Sequence, residues 1–320
     1  MKNISKKMSQ FQDEKTASKM KSSCLNLFGA AAFAALVCPA LVSASPILGS
    51  DVANFTILGA STVANVPTSS ISGNVGVWSS GGANSISGFL SSPGSAVSDS
   101  QVTGGLVHAG GTVARSAQTQ LTAAITNLGS MGPGTTLSLA DMAGLTLRPG
   151  VYTVPAGTTN LSGTLTLDGQ GNANAAWVFQ MPSTLITSPN SVVNMINAGS
   201  GAGLFWNVGS SATIDTNTTF LGNIFSLASI TMNSLATDNC GRALASTGAV
   251  TLGHNSLSNS CKDSSSGLSG GLDVITTGGV TKVQFLPPAT TTPIPAAAWL
   301  LGSGLMGLVG LRRRKGLMGE

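Results

Sequence analysis

Three threonines recur in one local setting. Ala212-Thr213-Ile214, Ile230-Thr231-Met232 and Val250-Thr251-Leu252 each place a hydroxyl between two apolar residues, at intervals of 18 and 20 residues. Side chains alternate across a strand, so the apolar pair points in and the Thr points out. A row of such residues offers uncharged donors, acceptors and methyl groups to a surface, with no nucleophile activated by a neighbouring base. A second set repeats the idea nearer the N-terminus: Ile71-Ser72-Gly73, Ile86-Ser87-Gly88 and Val102-Thr103-Gly104, at intervals of 15 and 16. It reads as further coils with a small hydroxyl outward.

Other chemistry finds little support. His108 and His254 have no carboxylate or cysteine at ligand spacing and read as strand or loop residues. Asp168 reads as a turn residue and Arg148 as a partner for carbonyls or a nearby acid, while the remaining acids are scattered singly. Trp177 and Trp206 lie in apolar strands and read as core; Trp78, near Gly81-Gly82, reads as exposed. The Gly-rich turns lack the order of a phosphate-binding loop. The expectation is a protein without metal, cofactor or catalytic residue. Six lysines precede residue 22 and four bases follow Leu311, which leaves five bases against eight acids between Ser45 and Leu311. The pI of about 9.0 therefore belongs to the ends and does not point to nucleic acid.

The elements that must position the threonines follow from the period. Short apolar runs alternate with Gly, Ser, Asn and Pro along the body, the pattern of short strands joined by tight turns. Intervals of 18 and 20 residues suit one turn of a parallel β-helix each, with successive coils about 4.8 Å apart. Cys240 lies nine residues after Thr231 and Cys261 ten after Thr251, so both reach nearly the same corner of consecutive coils. Cys24 and Cys38 fall in the leader, and the remaining pair is expected to form one disulfide, with two buried free thiols as the alternative. One stretch breaks the pattern: Ala114, Ala117, Leu121, Ala124, Ile125 and Leu128 share a face at helical spacing. This predicts a helix over about 113–128, capped by Thr112 and ended by Gly129.

Residues 1–44 read as a secretory signal cut by signal peptidase after Ala44: a lysine-rich stretch, the apolar run Leu25–Val42, then Val42-Ser43-Ala44. A retained anchor is the alternative. The body spans 45–260, and 261–291 reads as a Ser/Gly/Thr-rich linker in which Val280–Leu286 can add a last strand. Residues 292–315 join Thr292-Pro293-Ile294-Pro295-Ala296 to an apolar stretch, 296–311, and to Arg312-Arg313-Arg314-Lys315. This resembles the C-terminal sorting signals of the PEP-CTERM class, specifically the VPLPA variant, with Thr292 for Val and Ile294 for Leu. The resemblance implies a transmembrane helix over 296–311, an exosortase-type sorting protease and a link to secreted polysaccharide; the alternative is a simple C-terminal anchor. Either way the body is expected outside the cytoplasm, secreted or at the cell surface.

The body itself resembles the DUF3494 ice-binding-like domain. The stretches that carry the likeness are Phe55-Thr56-Ile57-Leu58, Ser72-Gly73-Asn74-Val75-Gly76-Val77, Leu147-Arg148-Pro149-Gly150-Val151-Tyr152, Leu165 to Asn172, Trp177-Val178-Phe179-Gln180, Phe205 to Thr213, and Gly241-Arg242-Ala243-Leu244 before Gly248 to Leu252. The resemblance implies a mostly β fold, an irregular right-handed parallel β-helix of triangular section with one helix alongside, and adsorption to an ice crystal surface. A surface that orders water must be rigid and free of strongly hydrated charge, which β-branched Thr on a coil provides. The candidate ice-binding residues are Thr213, Thr231, Thr251, Ser72, Ser87 and Thr103. Thr213-Ile214-Asp215-Thr216 departs from the Thr-x-x-Thr elements of ice-binding members by carrying Ile and Asp inside, while Thr62-Val63-Ala64-Asn65 is a nearer match. The alternative function is a structural or adhesive matrix protein, partnered with extracellular polysaccharide. A face broken by Asp215, by bulky groups or by a covering segment favours that alternative.

Overall fold

The structure, a computed structural model, describes residues 44–261, 267–277 and 279–288. The expectations for the signal up to residue 43 and for the sorting segment 292–315 lie outside the described residues. Among the described residues no helix is long and apolar enough to cross a membrane.

Nearly all the strands of the body pair in parallel and sort into three ladders. By hydrogen-bonded neighbour the first runs Thr135–Thr136, Gly150–Thr153, Ala176–Met181, Gly203–Val208, Thr219–Ser226, Thr237–Ala245, Phe55–Gly59, Asn74–Val77 and Val107–Ala109. The second runs Leu185–Ile186, Ala212–Ile214, Ile230–Met232, Val250–Gly253, Thr62–Val66 and Ser85–Ser87. The third joins Thr146–Leu147, Thr164–Asp168, Val192–Ile196, the leading residues of Thr219–Ser226 and Thr237–Ala245, Ser256–Ser258, Ser70–Ser72 and Val102–Thr103. From Gly203 to Ala245 the chain visits the ladders in rotation, so each turn adds a strand to every one.

The order of turns is not the order of the sequence. Phe55–Gly59 pairs with Thr237–Ala245, so the first turn of the body stacks on one of the last. The strand before the helix and the strand after it, Val107–Ala109 and Thr135–Thr136, stand near opposite ends of the first ladder. A 19-residue helix covers about 28 Å, most of the roughly 38 Å that eight strand spacings require.

That order corrects the reading of the second hydroxyl set. Ser72 pairs with Thr103 on the third ladder, whereas Ser87 pairs with Ala64 on the second. The Ile71, Ile86 and Val102 segments are therefore not three equivalent turns. The interval of 15 is a step between faces, and tripeptides of like composition recur on both.

Burial explains the layers. Inside the coil Ile57, Val75, Trp177, Phe179, Leu204, Trp206, Ile224 and Ala243 form one core. Phe179 stacks on Trp206 at 4.2 Å between ring centroids, and the Trp177 and Trp206 indoles donate to the carbonyls of Leu147 and Leu221. Residues of the first ladder that point the other way, among them Phe55, Leu58, Ala176, Val178, Phe205, Phe225 and Leu244, form a second core under the helix. Those strands are buried on both faces and so read as continuous apolar runs.

The helix spans Gly111–Gly129 and turns Ala114, Ala117, Leu121, Ala124 and Leu128 into that second core. It starts earlier than the sequence suggests, and Thr112 lies within it and does not cap it. Gly110 and Gly111 take φ of +83° and +85°, a turn that lets the chain leave its strand sharply, and glycine alone adopts it readily. Ser130 holds the C-cap position.

Beyond Cys261 the structure departs from a plain linker. Leu272–Thr277 and Val280–Phe285 form an antiparallel hairpin, and Ala44–Pro46 pairs with the first of its strands. Leu272 joins the core beneath the helix. Arg242, 2% exposed, ties these segments together by donating to the carbonyls of Ala53, Asn259 and Gly267 and to the Asn223 side chain. Burial lowers its pKa to about 10, so it stays cationic at neutral pH.

Candidate functional site

The helix covers the outside of the first ladder, leaving the second and third as the open faces. On the second, Leu185, Ala212, Ile230, Val250 and Val63 point into the coil, and alternation turns the residues beside them outward. One outward column reads Ile186, Thr213, Thr231, Thr251, Ala64 and Ser87, strand by strand. The ladder thus brings together four of the six candidates, Thr213, Thr231, Thr251 and Ser87, and inserts Ala64 between Thr251 and Ser87. Ser72 and Thr103 stand on the third ladder.

The threonine hydroxyls are uncommitted. Among the described residues no hydrogen bond engages the side chains of Thr213, Thr231, Thr251 or Ser87 within the protein. The column beside them is also small: Ser211, Ser229 and Ala249, then Thr62 opposite Ser85. Here the coil tightens itself, because the Ser211 hydroxyl accepts from the Ser229 N–H at 3.3 Å and the Ser229 hydroxyl from the Ala249 N–H at 3.1 Å. The face is therefore cross-linked beneath its surface while its central hydroxyls stay free.

Asp215 sits in the column on the other side, next to Asn233, whose amide donates to it at 2.8 Å. That bond, followed by the one from the Thr216 N–H, holds its carboxyl below the usual carboxylate range. The charge stands at the border of the face and leaves the threonine column unbroken. Gly253 and Val66 continue that border column. Asn65 of the Thr62-Val63-Ala64-Asn65 element turns inward, buried, and bonds to the side chains of Gln101 and Ser69.

The third ladder is less regular. Its columns mix Thr164 and Thr219 with Val192, and Thr166 with Asn194, and exposed Ile196 lies beside Asp168. Its strands pass into the first ladder through a register shift between Phe220 and Gly222. There the Gly222 carbonyl comes so near Gly241 that a Cβ would lie 2.0 Å from it. No such shift interrupts the pairs of the second ladder.

The other reactive side chains are accounted for by the fold. Cys240 and Cys261 form a disulfide with Cα atoms 4.6 Å apart. His108 is buried against Phe55, which holds its pKa below the usual value, and His254 accepts from the Thr68 N–H. Asp168 accepts from the Gln170 N–H and from Asn197 at a corner. Trp78, expected to be exposed, is half-buried by the helix core with the Arg115 guanidinium over its ring. Among the described residues no cluster of His, Cys, Asp or Glu has the makings of a metal site.

The sequence pattern missed Ala64 and its flanking column, because their register depends on pairing between distant turns. It also missed Asp238, fully buried in the inward column between Phe220 and Leu257. Burial raises its carboxyl well above the usual range, against the pull of Arg242 and of the Cys240 and Gly222 N–H groups, which approach without reaching hydrogen-bond geometry.

The chain is similar to known proteins. The family model described as Ice-binding-like matches residues 57–258. An ice-binding protein of Nostoc sp. (strain HG1) is 40% identical over 230 residues, 72% of this chain and 80% of that protein. Among solved structures, an ice-binding protein from an Antarctic Biological Consortium superposes with a TM-score of 0.56 at 31% identity, covering 67% of this chain and 91% of that one. The ice-binding protein of the Antarctic ascomycete Antarctomyces psychrotrophicus gives 0.55 at 29% identity, covering 65% and 96%.

Proposed function

Since this chain belongs to the ice-binding-like family, we propose that it adsorbs to ice through the outer surface of its second ladder and so limits ice growth or recrystallisation. The observation that carries the reading is the uninterrupted column Thr213, Thr231, Thr251, Ala64 and Ser87, uncharged and small, on a ladder without a bulge.

The geometry suits ordered water. Hydrogen-bonded oxygens lie about 2.7–2.8 Å apart, and tetrahedral bonding then puts second neighbours about 4.5 Å apart. Stacked strands repeat at about 4.8 Å, so water held by one threonine sits close to the spacing an ice layer asks of water held by the next. β-Branching restricts each Thr at χ1, and the hydroxyl-to-backbone bonds below restrict the strands. Little ordering entropy is then left to be lost on adsorption. No step of bond making is involved, and binding replaces catalysis.

The same reading carries the finer expectations. A right-handed sense and a triangular section are supported by the three ladders and by the preferred hand of parallel crossovers. Export through the 1–44 signal, with the 292–315 segment read by an exosortase-type protease, would put this face in contact with extracellular ice.

The test is an ice recrystallisation assay on the purified protein beside Thr231→Tyr. The reading expects the parent to keep crystals small and the variant to let them coarsen. A folded parent without inhibition would turn the assignment to a matrix protein.

A further inference from the structure

We infer that Leu235, at the corner where the turn that carries Thr231 leaves the second ladder, forms an apolar rim that contacts ice together with the threonine column. The inference rests on reading the second ladder as the adsorbing face. Leu235 is 59% exposed, three residues beyond the strand Ile230–Met232. Leu227, exposed before that strand, lines instead a groove with Ile125 of the helix and Gln180 and Asn207 of the first ladder. Leu235 occupies the opposite corner, its N–H on the Gly253 carbonyl.

The backbone at Leu235 makes the choice of residue informative. Its φ is +62°, in the left-handed region, and the corresponding corners of adjacent turns hold Asn217 at +58° and His254 at +55°. Asn tolerates that conformation because its side chain can bond locally, whereas Leu pays a steric cost and, exposed as it is here, regains little of it by packing. Folding alone would favour Asn at position 235.

An apolar group at the margin of an ice-adsorbing face has a use that packing does not supply. Apolar surface laid against the crystal gives up its contact with liquid water, and losing that contact is favourable. A leucine at this corner also shields the nearby hydroxyls from competing liquid water, as near-neutral contacts around a binding hot spot do. Thr231 is the middle threonine of the ladder, so a rim on its turn sits at the centre of the face.

The experiment compares full-length mature protein with Leu235→Asn, Leu235→Met and Thr231→Tyr, reading the lowest concentration that prevents ice recrystallisation and the Tm. The rim predicts that Leu235→Asn needs about threefold more protein or higher, with a Tm at or above the parent's. Leu235→Met, which keeps the apolar bulk, should match the parent. If Leu235→Asn inhibits as well as the parent while Thr231→Tyr does not, the rim is wrong and the face stands. If Leu235→Asn loses activity together with Tm, Leu235 is a packing residue and the rim is again wrong. If Thr231→Tyr or the parent itself shows that this ladder does not adsorb to ice, the face and the rim fall together.

Discussion

Ala64 stands directly opposite Thr251 on neighbouring parallel strands, although the two come from opposite ends of the domain's sequence. Through that pairing the threonine column of the C-terminal turns runs on into Ala64 and Ser87 of the N-terminal turns. A face four strands wide becomes one of six, about 24 Å across at the strand spacing. Adsorption to a crystal depends on the number of groups engaged at once, so the pairing matters more than any single hydroxyl.

The assignment of the face is tested by placing one bulky residue on each open ladder. Thr251→Tyr should abolish recrystallisation inhibition, and Thr103→Tyr, on the third ladder, should leave it intact. Both side chains are exposed and both variants should keep the parent's unfolding free energy to within about 0.5 kcal/mol by chemical denaturation. Loss of activity from the Thr103 variant alone would move the site to the third ladder.

Asp238 predicts a pH dependence of stability. Its folded-state pKa is raised by burial, so the native state holds this proton more tightly than the unfolded chain does. Stability should then decline as pH rises from about 4, the unfolded value, through the folded one. Asp238→Asn removes that slope: urea midpoints of parent and variant should diverge progressively in the variant's favour as pH rises. Parallel curves across the range would show that the carboxyl binds its proton no more tightly in the native state than in the unfolded chain.

The disulfide closes a loop with a sequence separation of 21. Replacing both Cys240 and Cys261 by Ser should cost about 3 kcal/mol of unfolding free energy. The bond sits beside Leu221 and Leu268, away from the second ladder. Ice recrystallisation inhibition just below freezing should therefore survive in the variant while its thermal midpoint falls.

The helix is held on its buried side by apolar packing and by Gln118, whose amide donates to the Ala245 and Ser246 carbonyls. Leu121→Ala removes a fully buried side chain from the core between helix and first ladder and should destabilise by about 2–5 kcal/mol. Equilibrium unfolding checks the magnitude, and an effect below 1 kcal/mol would mean that the helix is not required for the coil's stability.

Local periodicity made much of this molecule legible. The threonines at 213, 231 and 251 repeat within one continuous run of turns, so spacing was enough to align them, and the corner shared by Cys240 and Cys261 followed from the same register. The helix was visible because its buried positions recur at helical spacing within one segment. The hairpin strand Leu272–Thr277 was not seen, since its partners lie on Ala44–Pro46 and Val280–Phe285 and its own residues alternate weakly.

What the sequence by itself determined is whatever a strand or helix decides from its own alternation: which side chains point inward, which turn residues end each run, and which hydroxyls are free to face a surface. Which hydroxyls share a face was left to tertiary structure. Ser72, Ser87 and Thr103 have near-identical local sequences, yet pairing sends Ser87 to one ladder and the other two to another. The physical reason is that parallel pairing between turns is non-local. The order of turns is set by which apolar faces stack, by the helix that carries the chain from one end of the ladder to the other, and by Arg242 joining distant segments. None of these contacts leaves a period in the sequence.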